Sequence, residues 1–242
     1  MQKDERVKSL INGIDPLYDK EIICLCCEKK YSTKRLRTRY IRAIKTESDF
    51  FTVYKDLEHN PYLYEVHVCP DCGFSATDQF SNYFSPGAKD KVMNELSAHW
   101  IPRNFGRERS LNEAIVTYKL AVFSGILKKE KHIVLAGLYL RLGWLYRIKE
   151  NNEQEKRFLR LAIDEYENSY QQSDFIGTQL TEIRIIYLLG ELNRRIGLNA
   201  NAIKYFSRVI QHREKDQEKK VLEMAREQWY LIRKPEETVQ KL

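Results

Sequence analysis

From about residue 88 onward, apolar residues recur three and four positions apart, which is the spacing of one face of a helix. Three stretches align with one another: NEAIVTYKLAV (112–122), EQEKRFLRLAI (153–163) and ANAIKYFSRVI (200–210). Their corresponding positions are Ala114, Glu155 and Ala202, then Tyr118, Leu159 and Phe206, then Ala121, Ala162 and Val209. The last two stretches are each preceded by a second helical pattern, YLRLGWLYR and IYLLGELNR, whose Gly143 and Gly190 stand twelve residues before Glu155 and Ala202. A final helix is expected over 214–233, with Trp229 capping the array. Before residue 88 the pattern differs. RTRYIRAI, FFTVY and YLYEVHV read as strands, and Pro86 and Gly87 break the run before the helices begin. The fold class expected is α+β, with a β-rich region over 1–87 and a helical domain over 88–242.

The helical pattern resembles that of tetratricopeptide repeats. In these, Leu-Gly on a first helix allows close approach, and a small residue sits four positions before an aromatic on the second. Residues 187–210 match well, and Gly197 punctuates the turn between the helices. The spacings of 41 and 47 residues are longer than the usual repeat, and Glu155 replaces the expected small residue. These stretches therefore predict tetratricopeptide-like hairpins rather than regular repeats. Stacked hairpins of this kind form a groove suited to a partner segment.

Chemistry concentrates before residue 88. The five cysteines are Cys24, Cys26, Cys27, Cys69 and Cys72, and the last 170 residues have none. Cys69 and Cys72 have CxxC spacing, with Pro70 after the first and Gly73 after the second, the form of a metal-binding knuckle. A tetrahedral Zn²⁺ shell of four thiolates needs a second pair with the same spacing. Cys24 and Cys27 supply it, leaving Cys26 outside the shell. Four cysteines close that shell, so the zinc expected is structural. The 41-residue gap with strands inside it describes a zinc ribbon. A disulfide does not suit the reducing compartment expected for this chain, and a thioredoxin-like site needs its CxxC to open a helix. His67, two residues before Cys69, is an alternative ligand, though on a strand it would pack or face solvent.

Charge sharpens this picture. The net charge is +7, and the segment 28–45 alone holds eight basic residues against one acid. The remaining residues therefore balance. If TKRLRTRYIR is a strand, Arg35, Arg37 and Arg39 share one face. That face suits nucleic-acid phosphates, with Tyr31 or Tyr40 available to stack on bases. The competing expectation is a solvated sheet face, its arginines paired with Glu47, Asp49 and Asp56. The longest apolar run, 133–140, is too short to span a membrane. The charged opening stretch lacks the pattern of a secretory leader, so a cytoplasmic location is expected.

The stretches PLYDKEIICLCC, SDFF and NPYLYEVHVCPDCGFSA, followed by a helical tail, resemble the bacterial family called domain of unknown function 2225. The resemblance covers most of the chain. Where that family typically has C-P-x-C in its first knuckle, Leu25 stands at the Pro and Cys26 at the variable position. The resemblance implies a zinc ribbon joined to tetratricopeptide-like helices in the cytoplasm of Gram-positive-type bacteria, and it carries no activity with it. The chain contains no G-x-S-x-G, no phosphate-cradling glycine loop and no H-E-x-x-H. The function expected is a non-enzymatic zinc-binding adaptor for a partner protein. The alternatives are a nucleic-acid-binding protein using the basic stripe, and a thiol or zinc redox sensor using Cys26.

Overall fold

The computed structural model describes residues 14–233. The charged opening stretch from which the absence of a leader was read lies outside them. Small antiparallel ladders come first and helices follow, so the chain is an α+β protein. Among the described residues no helix is long and apolar enough to cross a membrane.

Strands β1 (Leu17–Ile23) and β2 (Lys30–Leu36) form a hairpin in which Leu17 faces Leu36 and Ile23 faces Lys30. Strands β3 (Ala43–Thr46) and β4 (Thr52–Tyr54) form a second hairpin, with a bulge between Ala43 and Lys45. Strands β5 (His67–Val68) and β6 (Ser75–Ala76) form a third. Each ladder has two strands, and none of the described strands joins two ladders. The strand expected across RTRYIRAI is interrupted: β2 ends at Leu36, Thr38–Tyr40 is a 3₁₀ turn, and pairing resumes only at Ala43. Likewise, most of YLYEVHV is not strand. Asn60 accepts a hydrogen bond from the Tyr62 N–H at 2.9 Å and caps a 3₁₀ turn over Pro61–Leu63, so extended backbone waits until His67.

The helical part opens with α1 (Ala88–Lys91), which loosens into a π-turn at Val92–Leu96 and a 3₁₀ turn at Ser97–His99. Six longer helices follow: α2 (Leu111–Lys128), α3 (His132–Ile148), α4 (Asn152–Gln172), α5 (Glu182–Arg195), α6 (Asn199–Gln211) and α7 (Lys219–Arg233). Their ends are marked by capping chemistry. Ser110 and Glu113 make a reciprocal capping box on α2, and Asn151 and Thr181 cap α4 and α5. The last helix starts later than its periodicity predicts, because residues Lys215–Glu218 wind as a 3₁₀ turn.

Consecutive helices pack against one another as hairpins. The α3–α4 and α5–α6 pairs use the glycines singled out in the sequence. A Cβ at Gly143 would lie 2.8 Å from the Leu159 side chain, and one at Gly190 would lie 2.8 Å from the Phe206 ring. Gly125 of α2 makes the same kind of approach to Leu135 of α3, also at 2.8 Å. Glu155 stands where a small residue was expected because its carboxylate accepts from Arg147 Nε at 2.7 Å, tying α4 back to α3.

The boundary at residue 87 marks a change of secondary structure. The buried core runs across it, from Cys24 and Val66 through Phe74 and Tyr118 to Leu189. Two polar clusters bind the halves together. Arg109, buried just before α2, donates to the Phe105 carbonyl at 2.6 Å, the Leu63 carbonyl at 3.2 Å, the Val66 carbonyl at 2.5 Å and Thr33 Oγ1 at 3.2 Å. The turn between β3 and β4 supplies the second cluster. Asp49, fully buried, accepts from Arg147 Nη2 at 2.6 Å and from Trp144 Nε1 at 3.0 Å, and Arg195 stands 3.2 Å away. Glu47 also meets Arg147 at 2.9 Å and Arg195 at 3.1 Å. Glu47 and Asp49 were expected to pair with the stripe arginines. They pair instead with α3 and α5, because their turn inserts between those helices.

Substituting Gly190→Leu should lower the melting temperature by an amount corresponding to about 1–3 kcal/mol, the usual cost of overpacking. An unchanged melting temperature would contradict the close approach of α5 and α6. Asp49 gives a pH-dependent prediction. Burial opposes its ionisation, but hydrogen bonds and charge from Arg147 and Arg195 outweigh that and hold its pKa below the usual carboxylate range. Its stabilisation is therefore complete above the unfolded-state value of about 3.9 and is lost as pH falls through the lower folded value. Asp49→Asn should be far less stable than the parent protein in urea at pH 7, and the gap should close on acidification. A gap independent of pH would contradict the assignment.

Candidate metal centre and the adjoining cleft

The two CxxC segments sit at the tips of the β1–β2 and β5–β6 hairpins and repeat one local structure. Cys24 N–H donates to the Lys29 carbonyl at 3.0 Å, and Cys69 N–H to the Phe74 carbonyl at 2.9 Å, closing each loop. Within the loops, Glu28 N–H donates to the Cys24 carbonyl at 2.9 Å, and Gly73 N–H to the Cys69 carbonyl at 3.0 Å. The residue after the second cysteine is left-handed in both, with φ of 63° at Glu28 and 74° at Gly73. Glycine adopts that conformation without strain, whereas Glu28 pays about 1–2 kcal/mol for it. The Glu28 carboxylate reaches Lys89 Nζ of α1 at 2.8 Å. Gly73 has a second constraint: a Cβ there would lie 2.5 Å from the Trp100 indole. Trp100 lies over the second knuckle and donates Nε1–H to the Pro70 carbonyl at 2.8 Å. A salt bridge from Lys29 to Asp71 at 3.1 Å links the two knuckles.

This arrangement brings Cys24, Cys27, Cys69 and Cys72 together, with all four sulfurs within 4.8 Å of one another. Cys24 Sγ lies 3.5 Å from Cys72 Sγ, and Cys27 Sγ lies 3.6 Å from Cys69 Sγ. Four thiolates around a Zn²⁺ at about 2.3 Å have tetrahedral edges of about 3.8 Å, so the donor set fits such an ion. Without a cation the four thiols cannot ionise together. Cys69 is pulled strongly down because the Cys24 and Cys72 thiols donate toward its sulfur; that donation pushes Cys24 up to about 12, and hydrogen bonds with Cys24, Cys26 and Cys69 push Cys72 higher still. A bound cation removes that conflict, since a coordinating thiol is deprotonated outright.

The other candidate ligands lie outside the cluster. Cys26 is fully buried, its sulfur 3.6 Å from Met93 Sδ in the π-turn. His67 is buried and shares a 2.9 Å hydrogen bond between its Nδ1 and the Tyr31 hydroxyl. Burial, with help from the Arg35 charge, lowers its pKa to about 4 and keeps it neutral.

The expected common face of Arg35, Arg37 and Arg39 is not formed, because the strand ends between them. Arg35 turns inward, donating to the Tyr64 and Glu65 carbonyls at 3.0 and 3.3 Å and to the Asp78 carboxylate at 2.9 Å. Arg37 donates to the Asp15 carbonyl at 3.1 Å and lies over the Tyr18 ring. Arg39, in the 3₁₀ turn, lies over Tyr40. Asp56, the third carboxylate expected beside them, faces His59 instead, at 3.8 Å.

Away from the cysteines, a cleft of about 610 Å³ opens along the inner face of α3 and α5. Gly137, Arg141 and Trp144 of α3 form one wall, and Arg184 and Leu188 of α5 form another. Residues 177–180 close one end, while Phe50 and Asp78 enter from the β-rich part. Sequence periodicity gave no sign of this cleft. The signal available was Arg141 and Trp144, three apart on one face of a mostly apolar helix.

A family model described as "Uncharacterized protein conserved in bacteria (DUF2225)" matches residues 17–232, which include all four clustered cysteines. No curated protein and no solved structure matches the chain.

Cys72→Ser should abolish metal binding and unfold the three hairpins, since metal binding at a four-cysteine site carries roughly 10–16 kcal/mol of apparent folding free energy. Cys26→Ser should leave metal stoichiometry at the wild-type value. Elemental analysis of each purified variant checks both, and metal loss in Cys26→Ser with retention in Cys24→Ser would reverse the assignment. Gly73→Ala should displace Trp100 and alter its fluorescence.

Proposed function

The chain belongs to the bacterial DUF2225 family, and from that premise and the site geometry we propose that it is a non-enzymatic, zinc-bound adaptor that docks a partner protein on its helical face. The observation that carries this reading is the cleft of about 610 Å³ along the inner face of α3 and α5. Its size falls within the range of about 300–1,000 Å³ usual for binding sites. The tetratricopeptide-like pairing of these helices is what gives the array an inner face.

Zn²⁺ is the ion that suits four thiolates whose sulfurs all lie within 4.8 Å of one another. All four coordination positions are taken by sulfur, so its role is structural: it holds the β1–β2 and β5–β6 hairpins as one ribbon. The cleft is built from other residues and serves a separate purpose. A cytoplasmic location accords with free thiols and a reduced cluster.

The two other readings receive less support. Nucleic-acid binding through the stripe needs Arg35, Arg37 and Arg39 on one face, and Arg35 is engaged internally. Redox sensing through Cys26 needs an accessible thiol, and this one is fully buried.

The test is affinity capture from native cells, with and without nuclease, using the parent protein and Gly137→Leu. A Cβ at Gly137 has 3.4 Å to its nearest neighbour, the tip of Arg141, so a larger side chain projects into the cleft rather than into packed core. The expected result is a nuclease-resistant partner captured by the parent protein and lost with Gly137→Leu. Capture that survives this change but disappears with nuclease would favour the nucleic-acid reading.

A further inference from the structure

The same helical face already holds a peptide segment in this structure, and it belongs to the chain itself. Residues 48–51 of the β3–β4 turn insert between α3 and α5. The Asp49 carboxylate is held by Arg147, Arg195 and the Trp144 indole N–H. The Ser48 carbonyl accepts from the Tyr187 hydroxyl at 2.7 Å, and the Ser48 hydroxyl donates to Glu191 at 2.7 Å. Phe50 packs on Tyr187 with ring centroids 5.6 Å apart, and Phe51 packs on Trp144 at 5.8 Å. Main-chain capture, a carboxylate held by guanidinium groups and aromatic stacking are combined on one short segment.

The cleft continues directly from that segment. Phe50 and Trp144 are shared between the two, each also lining the cleft. Along α3 the chemistry repeats. Arg147 lies over the Phe51 ring at 5.0 Å, and Arg141 lies over the Trp144 ring at 5.9 Å. Arg141 donates Nε–H to Glu65 and Nη1–H to the Gly137 carbonyl, while its Nη2 makes no hydrogen bond to any described residue. Arg184, across the cleft, is held by the Glu218 carboxylate at 2.8 and 3.1 Å, and Asp78, the one acid lining the cleft, is engaged by Arg35 and Lys20. Each guanidinium thus already holds one carboxylate, as Arg147 and Arg195 do beside Asp49, and Arg141 keeps Nη2 for a second, next to an aromatic wall of Trp144, Tyr166 and Phe50. Phe50 is held at φ 65°, an uncommon conformation for a bulky residue. This left-handed position follows a turn closed by Phe50 N–H to the Glu47 carbonyl at 3.0 Å, where glycine is the usual residue. The strain is tolerated where the ring forms the wall shared by the turn and the cleft.

We infer that the cleft takes an extended peptide segment carrying an acidic side chain beside an aromatic one, continuing along α3 and α5 the recognition that residues 48–51 make in cis. This rests on the adaptor reading and specifies the partner's chemistry. The acid would meet Arg141 Nη2, and the aromatic ring would lie against Phe50, which lines the cleft half-buried.

The test uses the full zinc-loaded chain and a fluorescein-labelled peptide copying residues 47–52, Glu-Ser-Asp-Phe-Phe-Thr, read by fluorescence anisotropy. A second peptide has lysine for the aspartate, and a third has alanine for both phenylalanines. The first should bind with an affinity that falls as salt rises, and each altered peptide should bind at least about tenfold more weakly, the equivalent of roughly 1.4 kcal/mol. Gly137→Leu should reduce binding of the first peptide by a similar factor with no fall in melting temperature. Arg141→Lys gives a second check, since it keeps the charge but loses the guanidinium fork, and it should weaken the first peptide more than the alanine peptide. Equal binding of all three peptides, or binding unchanged by Gly137→Leu, would overturn the inference. So would failure of any peptide to bind. If a cellular protein were still captured in a Gly137-dependent way, that failure would remove only the acidic-aromatic specificity. Loss of both would remove the adaptor reading too.

Discussion

Four sulfurs within 4.8 Å of one another are the constraint on which the N-terminal half depends. That half has three two-stranded ladders and no larger sheet among the described residues. A lone two-stranded hairpin is marginal in water. The four cysteines bring the β1–β2 and β5–β6 tips together across more than forty residues of chain, and a metal ion held by them would give the two tips a common centre. The local geometry is prepared for it. Both loops close through the same pair of backbone hydrogen bonds, and both place a left-handed residue after the second cysteine. The cost is unequal, since glycine stands at 73 and glutamate at 28, and Glu28 is engaged by Lys89 where α1 passes.

The second level of organisation is the buried charge between ribbon and helices. A fully buried Asp49 would be prohibitive alone, but Arg147, Arg195 and Trp144 surround it. Such a cluster adds little to stability compared with an apolar packing of the same shape, yet removing one member is costly. Its consequence here is positional. It admits one arrangement of the β3–β4 turn against α3 and α5, and Arg109 does the same for β2 and the segment 63–66. The β-rich part and the helices therefore share one core, and the cleft exists because the turn fills only part of the inner face.

This arrangement connects the two functional elements without mixing their chemistry. The cysteine cluster is closed and buried, suited to holding structure. The cleft is open and lined by aromatic side chains and ion-paired arginines. The β-rich part reaches the cleft through two residues: Asp78 enters one side just after β6, and the β3–β4 turn brings Phe50.

Much of this was legible in the sequence. CxxC spacing fixes two sulfurs on one tight loop, so Cys24, Cys27, Cys69 and Cys72 could be paired and Cys26 set aside. The helical period and the glycines at 143 and 190 identified the close helix pairs, because a missing side chain at that spacing has a steric meaning independent of context. The basic stripe shows the limit of local pattern. Alternation places Arg35, Arg37 and Arg39 on one face only if the strand continues, and a 3₁₀ turn at Thr38–Tyr40 ends it. Partners far apart in the chain were also beyond reach. Nothing local to Glu47 and Asp49 says that they meet Arg147 and Arg195, about a hundred residues and more away. The cleft is likewise a property of tertiary structure. A side chain's type is written in the sequence, but the empty space beside it is set by what the rest of the chain fails to fill.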